Sequence, residues 1–191
     1  MKLTARSSLS QVVACVAEAL AGAGIRCVLT GGACASLYTR GAYQSSDLDF
    51  VIQGTVSQSE LDAAMATSGF TRRENEYVHP GSGFFVEFPP GPLAIGGDSR
   101  IQPVQYRVRS RTLLALSATD SCRDRLAAFY FWNDRQSLRT AVEIAVCHAV
   151  DFDTIRKWSS DEGHGPAHDE FRRELARAGT RSSARRPDLD R

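Results

Sequence analysis

Apolar positions along the chain follow one period in its first half and another in its second. Within residues 9–21, Val12, Val13, Val16, Ala19 and Leu20 recur at helical spacing, and Gly22 and Gly24 end the run. Residues 25–30 form a short β-rich stretch that Gly31 and Gly32 stop, and residues 33–38 read as the first turns of a helix. Residues 47–52 are strand-like again. Ser57-Gln58-Ser59-Glu60 has capping-box spacing and opens a helix toward Ser68-Gly69. Residues 70–73, 77–79 and 84–88 read as strands. Residues 89–103 are rich in proline and glycine and read as loop, and residues 104–108 as one more strand. From Thr119 the period is helical throughout, over residues 122–132, 134–149, 152–159 and 168–178. The pattern predicts an α/β (α+β) fold followed by a helical bundle. Residues 179–191 are mostly Arg, Ser, Pro and Asp, and are predicted to lack stable structure. No internal repeat is present.

The most informative chemistry lies in Ser45-Ser46-Asp47-Leu48-Asp49-Phe50-Val51-Ile52. In a strand, residues i and i+2 share a face, so Asp47 and Asp49 project side by side, roughly 7 Å apart along the backbone. Leu48 and Phe50 turn to the opposite face, into a core. Folding gives no reason to place two like charges so close. A hard divalent cation such as Mg²⁺ does, because it prefers carboxylate oxygens. Asp-x-Asp occurs twice more. Asp151-Phe152-Asp153 reads as a helix start, where carboxylates meet free N–H groups. Asp188-Leu189-Asp190 lies in the polar tail and reads as solvated.

Strand, Gly31-Gly32 and helix start form the layout in which backbone N–H groups can approach a phosphate. The same layout also serves as an ordinary strand-to-helix turn. A third acid is available in Phe84-Phe85-Val86-Glu87-Phe88. Glu87 in so apolar a strand needs an arginine partner, a solvated edge or a metal. Asp98, in Ile95-Gly96-Gly97-Asp98, is the reserve candidate, although its setting is that of a turn. His164 and His168 are four apart, but Pro166 is expected to break the helix that would align them. His148 with Asp151 reads as a surface helix end. No Walker loop, Gly-x-Ser-x-Gly or zinc cluster is present.

These residues resemble the polymerase-beta-type nucleotidyltransferase superfamily: a hydrophobic-Gly-Gly turn, Asp-hydrophobic-Asp-hydrophobic, and a later strand acid. Gly31-Gly32-Ala33-Cys34-Ala35-Ser36-Leu37-Tyr38-Thr39-Arg40 and Ser45-Ser46-Asp47-Leu48-Asp49 are most similar to the small bacterial branch related to abortive-infection and toxin–antitoxin enzymes. Asp124-Arg125-Leu126-Ala127-Ala128-Phe129-Tyr130 and Trp132-Asn133-Asp134-Arg135-Gln136 are similar to the same group. The spacer from Gly32 to Asp47 is slightly long for the pattern, and Ala33 stands where many relatives carry Ser. The resemblance implies a mixed-sheet catalytic core over 1–110, a helical part over 111–178 and the tail over 179–191. It implies metal-dependent transfer of a nucleoside monophosphate from an NTP, with release of pyrophosphate. Asp47, Asp49 and Glu87 would be catalytic and would hold two Mg²⁺ ions, with Mn²⁺ as the alternative metal. Gly31, Gly32 and Ser46 would hold the NTP phosphates, with Arg135 as a further phosphate contact. The acceptor implied is RNA, with tRNA the leading case, and a cognate antitoxin is the implied protein partner. Two other readings stand beside it: a nucleotide-binding or antitoxin-like module without turnover, and an antibiotic-type small-molecule nucleotidyltransferase.

Composition agrees. A chain of 191 residues that is 42% hydrophobic can bury a core. Its five cysteines are odd in number and lack a Cys-x-x-Cys, which predicts reduced, mostly buried thiols in a cytoplasm. The amphipathic start does not resemble a signal sequence, and no apolar run reaches the length of a membrane span. The net charge of +1 hides an asymmetry. Residues 1–99 carry 6 Lys+Arg against 9 Asp+Glu, and residues 100–191 carry 17 against 13. The Arg-rich half suits phosphate. Arg107 and Arg109, as alternate residues of one strand, are its candidates for nucleic-acid contact.

Overall fold

The computed structural model describes residues 3–39 and 42–183. Strand β2 (Asp47–Ile52) sits at the centre of the sheet. Leu48 and Phe50 are fully buried on one of its faces, and Asp47 and Asp49 are half-buried on the other. The expected alternation is therefore present. Strand β1 (Cys27–Thr30) runs antiparallel to β2 along one edge, and β5 (Phe85–Glu87) runs parallel to it along the other. Short strands β3 (Thr71–Arg73) and β4 (Glu76–Val78) extend the sheet beyond β5. Strands β6 (Val104–Val108) and β7 (Arg111–Ala115) close the other side, with β7 parallel to β1. The sheet is seven-stranded and mixed, in the order β3-β4-β5-β2-β1-β7-β6.

Helix α1 (Leu9–Gly22) buries Val12, Val13, Val16 and Leu20, the stripe its spacing predicts. Helix α2 (Gly31–Tyr38) begins directly where β1 ends. Helix α3 (Gln58–Ala66) starts on the expected capping box, in which Glu60 accepts from the Ser57 amide at 2.8 Å. Four helices follow: α4 (Ala118–Trp132), α5 (Arg135–Cys147), α6 (Phe152–Asp161) and α7 (Gly165–Ser183). Asp151 caps α6 by accepting from the Asp153 and Thr154 amides, both at 3.0 Å, as its sequence context implied. Asn133, at φ 54°, ends α4, and Asp134 caps α5. Among the described residues no helix is long and apolar enough to cross a membrane. Cys15, Cys34 and Cys122 are buried, and Cys27 and Cys147 are half-buried.

The structure departs from the sequence reading in four places. Strand β7 was not anticipated, because Arg111-Thr112-Leu113-Leu114-Ala115 does not alternate. Its hairpin with β6 turns on Arg109-Ser110, without the Gly or Asn that marks such turns. Arg109 therefore lies in a turn at φ 57°, not in a strand with Arg107. Pro166 does not break a helix: it occupies the first turn of α7, where its missing N–H costs nothing. Helix α7 continues past Ala178 to Ser183. Arg40, Gly41 and residues 184–191, with Asp188 and Asp190, lie outside the described residues.

Candidate active site

Strand register places the acids. Asp49 lies opposite Thr30 on β1 and opposite Glu87 on β5. Partners in register on adjacent strands share a face and lie about 5 Å apart. Asp47, two residues earlier, shares that face too. The sheet thus presents Asp47, Asp49 and Glu87 on one face. Asp49 is also raised to a pKa of about 6. Burial is the largest cause, followed by the charges of Asp47, Glu87 and Asp124, with Arg125 acting in the opposite sense.

The glycine turn is built against this carboxylate. Gly31 has φ +61°, a conformation that L side chains rarely adopt. A Cβ there would lie 2.9 Å from Asp49 Cγ and nearer still to its Oδ2. At Gly32 a Cβ would meet Ser45 Oγ and would lie 2.8 Å from the Tyr43 hydroxyl. The start of α2 can approach Asp49 only because Gly31 lacks a side chain, and Ser45 and Tyr43 only because Gly32 does. Thr30, the N-cap of α2, makes no side-chain capping bond, so the first amides of α2 have no side-chain acceptor from their own cap. Gly31→Ala is expected to destabilise the fold by about 1–3 kcal/mol, the positive-φ cost plus displacement of Asp49. Urea midpoints of the two proteins check this; equal midpoints would mean that the turn is not held against the acid.

The remaining expected site residues divide. Ser46 is exposed, and its carbonyl accepts from the Phe85 amide at 3.2 Å. The buried Ser45, two residues before Asp47, is the serine that donates to Asp47 Oδ1. The i, i+2 rule that placed the aspartates would have selected it. Arg135 starts α5, pairs with Glu170 at 2.6 Å and lies over the Phe129 ring; it does not line the Asp49 pocket. Asp98 is held by Arg123 at 2.7 Å and by Arg100 at 3.1 Å, and its pKa falls to about 2, chiefly through the Arg100 amide. It belongs to a turn, as its setting suggested. The His148 Nε2 lies 2.8 Å from the Tyr38 carbonyl, and Asp151 caps α6, so the two form no metal pair. His164 stacks on Tyr130 at 4.9 Å, and His168 is buried in α7.

Two residues that the resemblance quoted, but that were not taken for the site, complete it. Arg125 on α4 binds Asp124 through Nε at 3.0 Å and Nη2 at 2.7 Å. Both line a pocket of about 310 Å³ with Asp49, Thr30 and Gly31. The rest of its lining is mainly apolar: Val51, Pro89, Pro90, Pro92, Leu93, Ala94 and Leu116. Asp49 and Arg125 thus border one space, while Asp47 and Glu87 are not in its lining.

Hard carboxylate oxygens on one face of the sheet are the donor type that Mg²⁺ takes, and among them Asp49 has a raised pKa, chiefly through burial. Among the described residues no group of three or more His, Cys, Asp or Glu side chains is placed so that it could hold a metal ion by itself. Mg²⁺ does not require one, since it is usually bound through one or two carboxylates, waters and substrate phosphates.

No protein-family model matches the chain, and no curated protein matches it. Its fold is similar to that of an antigenic nucleotidyltransferase-like protein from Paracoccidioides brasiliensis, with a TM-score of 0.54 and 18% identity over 74% of this chain and 77% of that one. A second solved structure, that of the antibiotic-resistance factor ANT(2'')-Ia, aligns at a TM-score of 0.47 and 13% identity, over 83% of this chain and 97% of that one. The chain thus shares its fold with the first of these proteins.

Proposed function

We infer that the protein is a metal-dependent nucleotidyltransferase that moves a nucleoside monophosphate from an NTP to an acceptor. One observation carries the reading. Asp49 is set beside Glu87 by the β2–β5 register and against the Gly31 turn by its pairing with Thr30, so the acids and the start of α2 meet at one point. Asp47, Asp49 and Glu87 would hold Mg²⁺, which when bound supplies charge neutralisation and a lowered pKa for the attacking hydroxyl. Gly31 and Gly32 present amides to the phosphates. Ser45 fixes the rotamer of Asp47. Arg125, steadied by Asp124, offers its guanidinium to the triphosphate.

For the acceptor we propose RNA, with tRNA first. A second cavity, of about 470 Å³, is lined by Arg107, Arg109, Tyr106 and Ser36, has no acid in its lining, and shares Tyr43 with the glycine turn. An acid-free groove with two exposed arginines beside the acids suits a phosphate backbone. Toxin-type activity would follow from modification of such an RNA. Incubation with labelled NTPs, Mg²⁺ and total cellular RNA or protein tests the transfer. Label is expected in RNA; label appearing only in protein, or in neither, would remove the RNA reading. Arg107→Glu is expected to weaken RNA binding roughly tenfold near physiological salt and to flatten its salt dependence, with NTP affinity little changed. Equal salt slopes for the two proteins would place the RNA elsewhere.

A further inference from the structure

The apolar wall of the Asp49 pocket is a strap, residues 89–94, that leaves β5 two residues after Glu87. One side of it faces the pocket. Its other side borders a second cavity, of about 470 Å³, lined by Ile52, Gln53, Gly54 and Val56 together with the strap. With open space on both sides, its position is set by Leu93, which is buried, and by its two ends. The first end is the sheet itself. The second is fastened to the helical half at three points: Trp158 Nε1 donates to the Ile95 carbonyl at 3.1 Å, the Gly97 amide donates to Glu162 at 2.7 Å, and Asp98 accepts from Arg123 at 2.7 Å.

Arg123 is the informative member of this fastening. It is 3% exposed, lies over the Trp158 ring, and divides its guanidinium between Asp98 and Asp120. Its neighbours on α4, Asp124 and Arg125, line the pocket. One turn of α4 thus holds the far end of the strap through Arg123 and supplies Asp124 and Arg125 to the pocket lining. The Asp98–Arg123 pair is one of the three points that tie the strap to the helical half.

We propose that the strap is the surface on which the nucleoside part of the NTP packs, and that Asp98 and Arg123 are positioning residues that set it. The inference rests on the nucleotidyltransferase reading. The pocket divides as an NTP does: Gly31, Asp49 and Arg125 offer charge and donors to the phosphates, and the flat rings of Pro89, Pro90 and Pro92 with Leu93 offer an apolar face to a base or ribose. Triphosphate contacts do not involve the strap, whereas nucleoside contacts do.

The test compares two probes, a non-hydrolysable NTP analogue and inorganic tripolyphosphate, each with Mg²⁺, by titration calorimetry. Asp98→Asn keeps the shape of the side chain and an acceptor but removes the charge that orients Arg123. It is expected to weaken the analogue about tenfold and to leave tripolyphosphate within about twofold. Asp98→Glu, which retains the charge, is expected to recover part of the loss. Leu93→Ala, which alters the wall without touching the fastening, is expected to weaken the analogue selectively as well. If Asp98→Asn weakens both probes equally, the pair is merely structural and the proposal falls. Unchanged analogue affinity in both Asp98→Asn and Leu93→Ala would overturn it too. Failure of the parent protein to bind either probe would instead overturn the nucleotidyltransferase reading, and the assignment of the strap with it.

Discussion

Asp49→Asn should abolish nucleotidyl transfer to within about 1% of the parent rate and, without divalent cations, make the fold more stable. The two effects share one cause. Asp49 sits between Asp47 and Glu87 under partial burial, and its pKa rises from 3.8 to about 6. A carboxylic acid whose pKa is raised by folding costs stability once it ionises. The cost is absent below about pH 4, grows as pH rises through about 6, and is complete above that. The amide has no such charge, so the variant should gain on the order of 1–3 kcal/mol at pH 7–8 and nothing at pH 4. Mg²⁺ should reverse the order, because it stabilises only the protein that offers it the charge. Rate loss of about 10²-fold or more follows from removing a ligand charge from the ion. Melting curves at both pH values, with and without Mg²⁺, check the first part, and labelled-NTP transfer checks the second. A variant that melts with the parent at pH 8 in chelator would show that the acids do not crowd one another.

Arg125→Gln should have the second-largest effect, opposite in sign for stability. Its guanidinium holds Asp124 through two donors in a poorly exposed setting, and it opposes the rise of the Asp49 pKa. Removing one partner of such a pair leaves a carboxylate without its cation, at a cost of about 2–4 kcal/mol. Asp49 should then titrate higher, so the acid limb of any pH–rate profile should move to higher pH. NTP binding should weaken roughly tenfold or more, since a cation beside the phosphates is lost. Arg125→Lys keeps the charge but not the fork, and should recover stability better than binding. If Arg125→Gln shifts neither the acid limb nor the KM for NTP, the arginine only serves the helix.

The sequence carried the acids and the turn because their signals are local and geometric. The same-face placement of Asp47 and Asp49 needs only a strand, and the Leu48-Phe50-Ile52 side declares one. Gly31 was readable because positive φ excludes most other residues. The pairing of β2 with β5 was not readable: Glu87 could be named from its apolar surroundings, but only the register makes it a neighbour of Asp49. Arg125 was harder. It lies on a helix far along the chain, in a run whose spacing is that of any amphipathic helix, and its role depends on how α4 crosses the sheet. Arg135 drew attention through its place at a helix start, and an ion pair with Glu170 absorbs it. Ser46 and Ser45 differ by one residue, which in extended chain is the difference between the two faces. Strand β7 escaped because a half-buried strand entered by an Arg-Ser turn carries neither alternation nor turn chemistry.

Strand β2 has a paired neighbour along each edge. Its backbone cannot yield when the acids ionise, so their repulsion cannot be relieved by parting the strands. Here the ladder enforces what the charges oppose, and the site is a point of local frustration. A bound cation removes the conflict without moving the frame, so the free energy that the empty protein forgoes in holding the acids together returns as affinity for positive charge.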